Sequence, residues 1–240
     1  MQSIGVIGGG AWGTALGQVA RSGGAEVLLW AREAEVVEGI NARHENAAFL
    51  PGVPLDAGLR ATARLADIGA CDMALLVAPA QFLRRVAAEL RPHWNPSKPV
   101  VVCAKGFEVG TGQLMTEVAA ETLPGVPLAV LSGPTFAAEV ARGLPTAITL
   151  ACADAGLGKR LVERLGRPTF RPYLSADLVG AEVGGAVKNV LAIACGVVQG
   201  RGLGDNARAA LITRGMAEIA RLSSAPVSYT HLTLPTNREV

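Results

Sequence analysis

Ile4-Gly-Val-Ile-Gly-Gly-Gly-Ala-Trp-Gly-Thr-Ala15 is a short apolar strand that runs straight into a G-x-G-x-x-G turn formed by Gly8, Gly10 and Gly13. Each glycine has its own task in such a turn. Gly8 allows the sharp exit from the strand, Gly10 lets the backbone approach a pyrophosphate, and Gly13 lets the next helix pack tightly on the sheet. The N-terminus of that helix then faces the anion. The motif alone is weak evidence, but here it follows a strand and precedes the helix-compatible run Thr14-Ala-Leu-Gly-Gln-Val-Ala-Arg21, the context that makes it a dinucleotide fingerprint.

Outward from this turn, short Val/Leu/Ile/Ala-rich runs alternate with helical patterns. Strands are predicted near 3–7, 26–30, 73–78, 100–104, 127–131 and 146–151, with a last one at Phe170-Arg-Pro-Tyr-Leu-Ser175. Helices are predicted near 12–22, 33–43, 80–91, 112–122 and 154–165. Continuous apolar strands imply burial on both faces, so the fold class is α/β, a doubly wound Rossmann-type parallel sheet over residues 1–176. From 177 to 222 the texture changes to a long small-residue helix, about 178–198, then a Gly-rich turn and a helix near 206–222. These read as the start of an all-α second domain, with little chain left for an independent core. Residues 223–240, rich in Ser, Thr and Pro, read as an atypical tail, either a natural C-terminal tail or a foreign end; the second is favoured because the preceding helix stops without a glycine cap.

Composition narrows the function classes. The 240 residues are 50% hydrophobic and 18% charged with a formal net charge of +2, which gives no electrostatic footprint for nucleic acid. No secretory signal is apparent, so the cytoplasm is the expected compartment. Glu182 and Lys188 interrupt the apolar helix at 178–198, which argues against membrane insertion. Cys71, Cys103, Cys152 and Cys195 are scattered without a C-x-x-C pair, so no metal is expected and the thiols read as reduced core residues.

Several residues could carry chemistry. Arg32 follows the second strand about where an acid usually meets the ribose, and a guanidinium there suits a 2′-phosphate, so NADP is favoured. Glu33 beside it keeps NAD possible, and Arg32 also reads as a solvated helix-start residue. Lys105 and the Gly133-Pro-Thr135 turn end two later strands, where open α/β sheets place their ligands. Lys188 lies in a helix of small residues and must reach solvent, pair with an acid such as Glu182, or serve a cleft. No histidine is well placed for a His/Asp proton relay.

Taken together, Gly8 to Leu16, Leu29-Trp-Ala-Arg32, Asn46-Ala-Ala-Phe-Leu-Pro-Gly-Val53, Ala104-Lys-Gly-Phe107, Leu131-Ser-Gly-Pro-Thr-Phe-Ala-Ala-Glu139, Glu182-Val-Gly-Gly-Ala-Val-Lys-Asn-Val190 and Gly204 to Gly215 resemble the bacterial NAD(P)-dependent glycerol-3-phosphate dehydrogenase family. The resemblance implies reduction of dihydroxyacetone phosphate to sn-glycerol 3-phosphate, a phospholipid precursor, by a chain that could form a homodimer. It implies cofactor contacts at Ala11, Trp12, Arg32, Lys105 and Ala137, besides the glycine turn. Substrate contacts fall on Lys105, Gly133, Thr135, Lys188 and Asn189, with Lys188 as catalytic acid/base. Thr135 replaces a serine frequent there and keeps the hydroxyl. The family's later Gly-Asp-Leu and Arg-Asn segments, which hold substrate phosphate and cofactor, do not appear after Leu222, so the expectation is C-terminal truncation with severely reduced turnover. Two rival readings remain: another lysine-using dehydrogenase of the 3-hydroxyacid or 6-phosphogluconate type, and a non-catalytic dinucleotide-binding fragment.

Overall fold

The computed structural model describes residues 1–224. The strands are β1 (Ser3–Ile7), β2 (Glu26–Trp30), β3 (Glu45–Asn46), β4 (Leu50–Pro54), β5 (Arg60–Thr62), β6 (Met73–Leu76), β7 (Val100–Val102), β8 (Leu128–Ser132), β9 (Thr146–Ala151) and β10 (Phe170–Ser175). The helices are α1 (Ala11–Ser22), α2 (Ala34–Glu38), α3 (Ala80–Leu90), α4 (Met115–Thr122), α5 (Ala137–Ala141), α6 (Ala155–Leu165), α7 (Leu178–Gly200) and α8 (Gly204–Ser224). Eight strands form one sheet in the order β10-β9-β8-β7-β6-β1-β2-β5, while β3 and β4 make a separate hairpin.

Alternation within single strands shows why both faces are apolar. Val101 of β7 points to the side that also buries Ile4, Val6, Leu29 and Leu131, whereas its neighbours Val100 and Val102 point to the side that buries Ile7, Leu76, Leu83 and Met115. Helices cover both sides, as a parallel sheet requires. Chain order reverses between β1 and β6, so the crevice expected for a ligand opens beyond the carboxyl ends of those strands.

Three features depart from the sequence reading. The helix expected over 33–43 is α2 followed by a π-turn over Gly39–Arg43 that ends at His44 with φ 53°. The sheet is parallel except between β8 and β9, which pair antiparallel. The short segment joining them carries only the five-residue α5, which packs on α1 instead of forming a long crossover helix. The strand β5, the β3–β4 hairpin and the 3₁₀ turns at Leu65–Ala70 and Arg91–His93 are additional to the predicted elements.

Helix α7 is buried only in its first third. Glu182, Val183 and Gly185 are buried, but Val190, Ile193 and Val197 are more than half exposed, since α8 and the sheet edge cover one side only. By length and composition α7 could cross a membrane, with a window of mean hydropathy 1.5. In this fold it lies against β8 and β9. The tail reading for 223–240 falls outside the described residues from 225 onward.

Candidate active site

The glycine turn is held by sterics at two points. Gly8 has φ 132°, a region side chains avoid, and a Cβ on Gly13 would sit 1.9 Å from the Gly8 carbonyl oxygen. Gly10 caps α1 and has open space where a Cβ would be, so the turn is bare on its outer side. Asn46, from β3, is buried and donates from Nδ2 to both the Gly9 carbonyl and Thr14 Oγ1 at 2.8 Å. Nothing in the local sequence pattern gives Asn46 this bracing role, because its partners lie 32 and 37 residues away.

A cleft of about 230 Å³ continues from the turn, lined by Gly8, Gly10, Arg32, Phe49, Phe82 and Arg85 among others. Arg32 is 70% exposed and its Nη2 lies 3.1 Å from Glu33 Oε1, so part of its charge is already matched. Arg85 lies over the Phe82 ring at 5.4 Å and makes no ion pair among the described residues. Phe82 and Arg85 escaped the sequence reading because α3 shows an ordinary amphipathic pattern, and surface residues of such a helix carry no local signal.

At the other side of the crevice, Lys105 beyond β7 and Lys188 on α7 converge. Lys105 Nζ donates to the Gly133 carbonyl at 3.1 Å and Lys188 Nζ donates to the same oxygen at 3.3 Å. Lys105 also stands 5.9 Å from the Trp12 ring. Burial, then the neighbouring Lys188 charge, lowers the Lys105 ammonium to about 8. The pairing of Lys188 with Glu182, left open by the sequence, is not what forms: Glu182 accepts from Thr116 instead.

Two polar atoms beside this cluster are buried without a partner among the described residues, Trp12 Nε1 and Thr135 Oγ1. Buried polar atoms are seldom left unmatched, and both of these are free to meet a ligand atom. Ala11 starts α1 and Ala137 starts α5, and both pack partly buried against the core beneath the turn. Asn189 is exposed on α7, one position past Lys188, and the structure does not bring it into the lysine cluster. The bare glycine turn and the orphaned Trp12 Nε1 fit a dinucleotide on this side of the crevice. Among the described residues there is no group of three or more His, Cys, Asp or Glu that could hold a metal ion.

The N-terminal family model, NAD-dependent glycerol-3-phosphate dehydrogenase N-terminus, matches residues 3–157, and its C-terminal counterpart matches 177–234. The chain belongs to the NAD-dependent glycerol-3-phosphate dehydrogenase family. As a member it is an oxidoreductase with a nicotinamide cofactor and a small-molecule substrate. The glycerol-3-phosphate dehydrogenase, NAD(P)+, of Paramagnetospirillum magneticum is 65% identical over 225 residues, covering 94% of this chain and 82% of its own length. That of Rhodospirillum rubrum is also 65% identical, and the chain spans 64% of its length. A crystal structure of glycerol-3-phosphate dehydrogenase from Coxiella burnetii superposes with a TM-score of 0.87 at 40% identity, covering 93% of this chain and 69% of that one.

Proposed function

We propose that this glycerol-3-phosphate dehydrogenase family member reduces dihydroxyacetone phosphate to sn-glycerol 3-phosphate in the cytoplasm, with Lys188 as the proton donor. The observation that carries the reading is the meeting of Lys105 Nζ and Lys188 Nζ on one carbonyl oxygen, that of Gly133, beside the unpartnered Thr135 hydroxyl. The nicotinamide cofactor, when bound, supplies the hydride. The turn at Gly8 and Gly10 would hold its pyrophosphate, with Gly13 letting α1 pack close behind it; Ala11, Trp12 and Ala137 would also contact the cofactor and Arg32 its ribose end, the group that favours NADP over NAD.

The chain's own groups divide the remaining work. Lys105, a cation in a partly dry site, draws the phosphorylated ketone inward and competes with water for its oxygen. Gly133 keeps the loop low enough for both lysines to share its carbonyl, since a Cβ there would lie 3.1 Å from Ile148. Thr135 offers a hydroxyl and Asn189 an amide to the substrate. Lys188 gives a proton to the oxygen as negative charge builds on it, and its amine takes the alcohol proton in the reverse direction. Four free cysteines, three of them buried, support a reducing compartment.

The test is oxidation of NADPH on addition of dihydroxyacetone phosphate, with sn-glycerol 3-phosphate identified as product. Lys188→Met should bind NADPH as the parent does and lose about 100-fold or more in turnover, the scale of a general acid. A Lys188→Met chain that turns over at the parent rate refutes the assignment. A parent chain that binds NADPH but makes no product favours the cofactor-binding fragment.

A further inference from the structure

Helix α4 begins at Met115 with Leu114 at its N-cap, a residue without a side-chain acceptor. Open N–H groups at a helix start need partners, and one is found 66 residues away in sequence. Thr116 N donates to Glu182 Oε1 at 2.9 Å, and Thr116 Oγ1 donates to Glu182 Oε2. Glu182 is 4% exposed, so both carboxylate oxygens are spent on one residue of another element. Burial raises its carboxyl from the ordinary value, which makes these two bonds the compensation for placing an acid here.

Gly185 lies about one turn further along α7 and Lys188 one turn beyond that. A Cβ on Gly185 would meet Ser132 Oγ at 2.5 Å and stand 3.6 Å from Lys105 Cγ, so the helix is seated on the end of β8 at this point. From Glu182 to Lys188 the axial rise is about 9 Å. A one-residue slip at the Glu182 end would move Lys188 by about 1.5 Å and rotate it by about 100°, enough to break its 3.3 Å bond to Gly133.

We infer that Glu182 is a positioning residue for Lys188: by capping α4 through Thr116 it fixes the height and rotation of α7, and so delivers Lys188 Nζ to the Gly133 carbonyl. The inference rests on the reading of Lys188 as the reacting lysine, but the geometry it asserts can be read without turnover. Lys105 reports it. Its lowered proton affinity depends in part on the nearby Lys188 charge, with Cys103 as the other titratable neighbour.

The experiment compares the full chain with Glu182→Ala, Glu182→Gln and Thr116→Val. It measures NADPH affinity, turnover of dihydroxyacetone phosphate, thermal midpoint, and the pH midpoint of Lys105 acylation by acetic anhydride, followed by peptide mass spectrometry. Glu182→Ala should keep NADPH affinity within about twofold and lose about 100-fold in kcat, the scale of a 1 Å misplacement. Its Lys105 acylation midpoint should rise from about 8 toward the ordinary lysine range as Lys188 withdraws. Glu182→Gln keeps an acceptor for Thr116 N and should restore both values to within about fivefold of the parent. Should Glu182→Ala fail to fold, Thr116→Val, which removes one bond only, should show the same changes in smaller measure. An unmoved Lys105 midpoint in folded Glu182→Ala or Thr116→Val overturns the inference, as does Glu182→Gln behaving like Glu182→Ala. A moved midpoint in a chain with no turnover upholds the anchor and counts instead against the proposed reaction.

Discussion

Replacing Lys105 by Met removes a charge that the fold holds at a cost, and the cost has a defined pH window. Burial and the Lys188 charge lower the Lys105 ammonium from 10.5 to about 8. Unfolded Lys105 keeps its proton up to its ordinary value, so between about pH 8 and 10.5 the unfolded chain binds more protons and stability rises with pH. At pH 7 the full penalty is present, about 3 kcal/mol at about 1.36 kcal/mol per pH unit. Above 10.5 it is gone. Against it stand the hydrogen bond to Gly133, about 1 kcal/mol, and the approach to the Trp12 ring, about 0.5–1 kcal/mol. Lys188 still holds the Gly133 oxygen in the variant. Lys105→Met should therefore be about 1–2 kcal/mol more stable than the parent at pH 7, with the gain reversing by pH 10.5. Urea unfolding followed by circular dichroism at pH 7, 8, 9 and 10 measures this, and the lysines other than Lys188 cancel in the comparison. A difference between the two proteins that stays constant from pH 7 to 10 would refute the reasoning. The same variant should lose affinity for the phosphorylated ketone.

Gly13→Ala puts a methyl 1.9 Å from the Gly8 carbonyl oxygen, so it should cost at least about 1–3 kcal/mol in urea unfolding and weaken NADPH binding sharply. Asn46→Ala removes the donor to Thr14 Oγ1 and leaves the Gly9 carbonyl only the 3.5 Å bond from Thr14; about 1–3 kcal/mol of stability by urea unfolding and a several-fold loss in NADPH affinity by titration calorimetry are expected. Arg32→Ala should weaken NADPH about tenfold and NADH less, since its exposed guanidinium is only partly matched by Glu33 and is the group assigned to the 2′-phosphate; equal losses for the two cofactors would exclude that role.

Much of the nucleotide half was legible because its signals are local. The apolar run of β1 and the spacing of Gly8, Gly10 and Gly13 are set within a dozen residues, and the alternation of buried faces in β7 follows from the pleat. Strand direction is different: nothing in Leu128–Ser132 or Thr146–Ala151 encodes that they run antiparallel, which is decided by where the short α5 packs. The lysine cluster was legible one member at a time. Lys105 ends a strand and Lys188 stands out in a helix of small residues, but their shared oxygen depends on α7 being seated on β8 through Gly185. The bracing role of Asn46 and the Glu182–Thr116 link were hidden for the same reason, since each acts on residues far away in sequence.

The central claim is that Lys188 donates the proton in ketone reduction on this edge of the sheet. Its most direct measurement is the rate of NADPH oxidation at saturating dihydroxyacetone phosphate for the parent and Lys188→Met, with NADPH affinity measured on the same samples. The account predicts a fall of about 100-fold or more in rate with unchanged cofactor affinity; equal and measurable rates in the two proteins would contradict it.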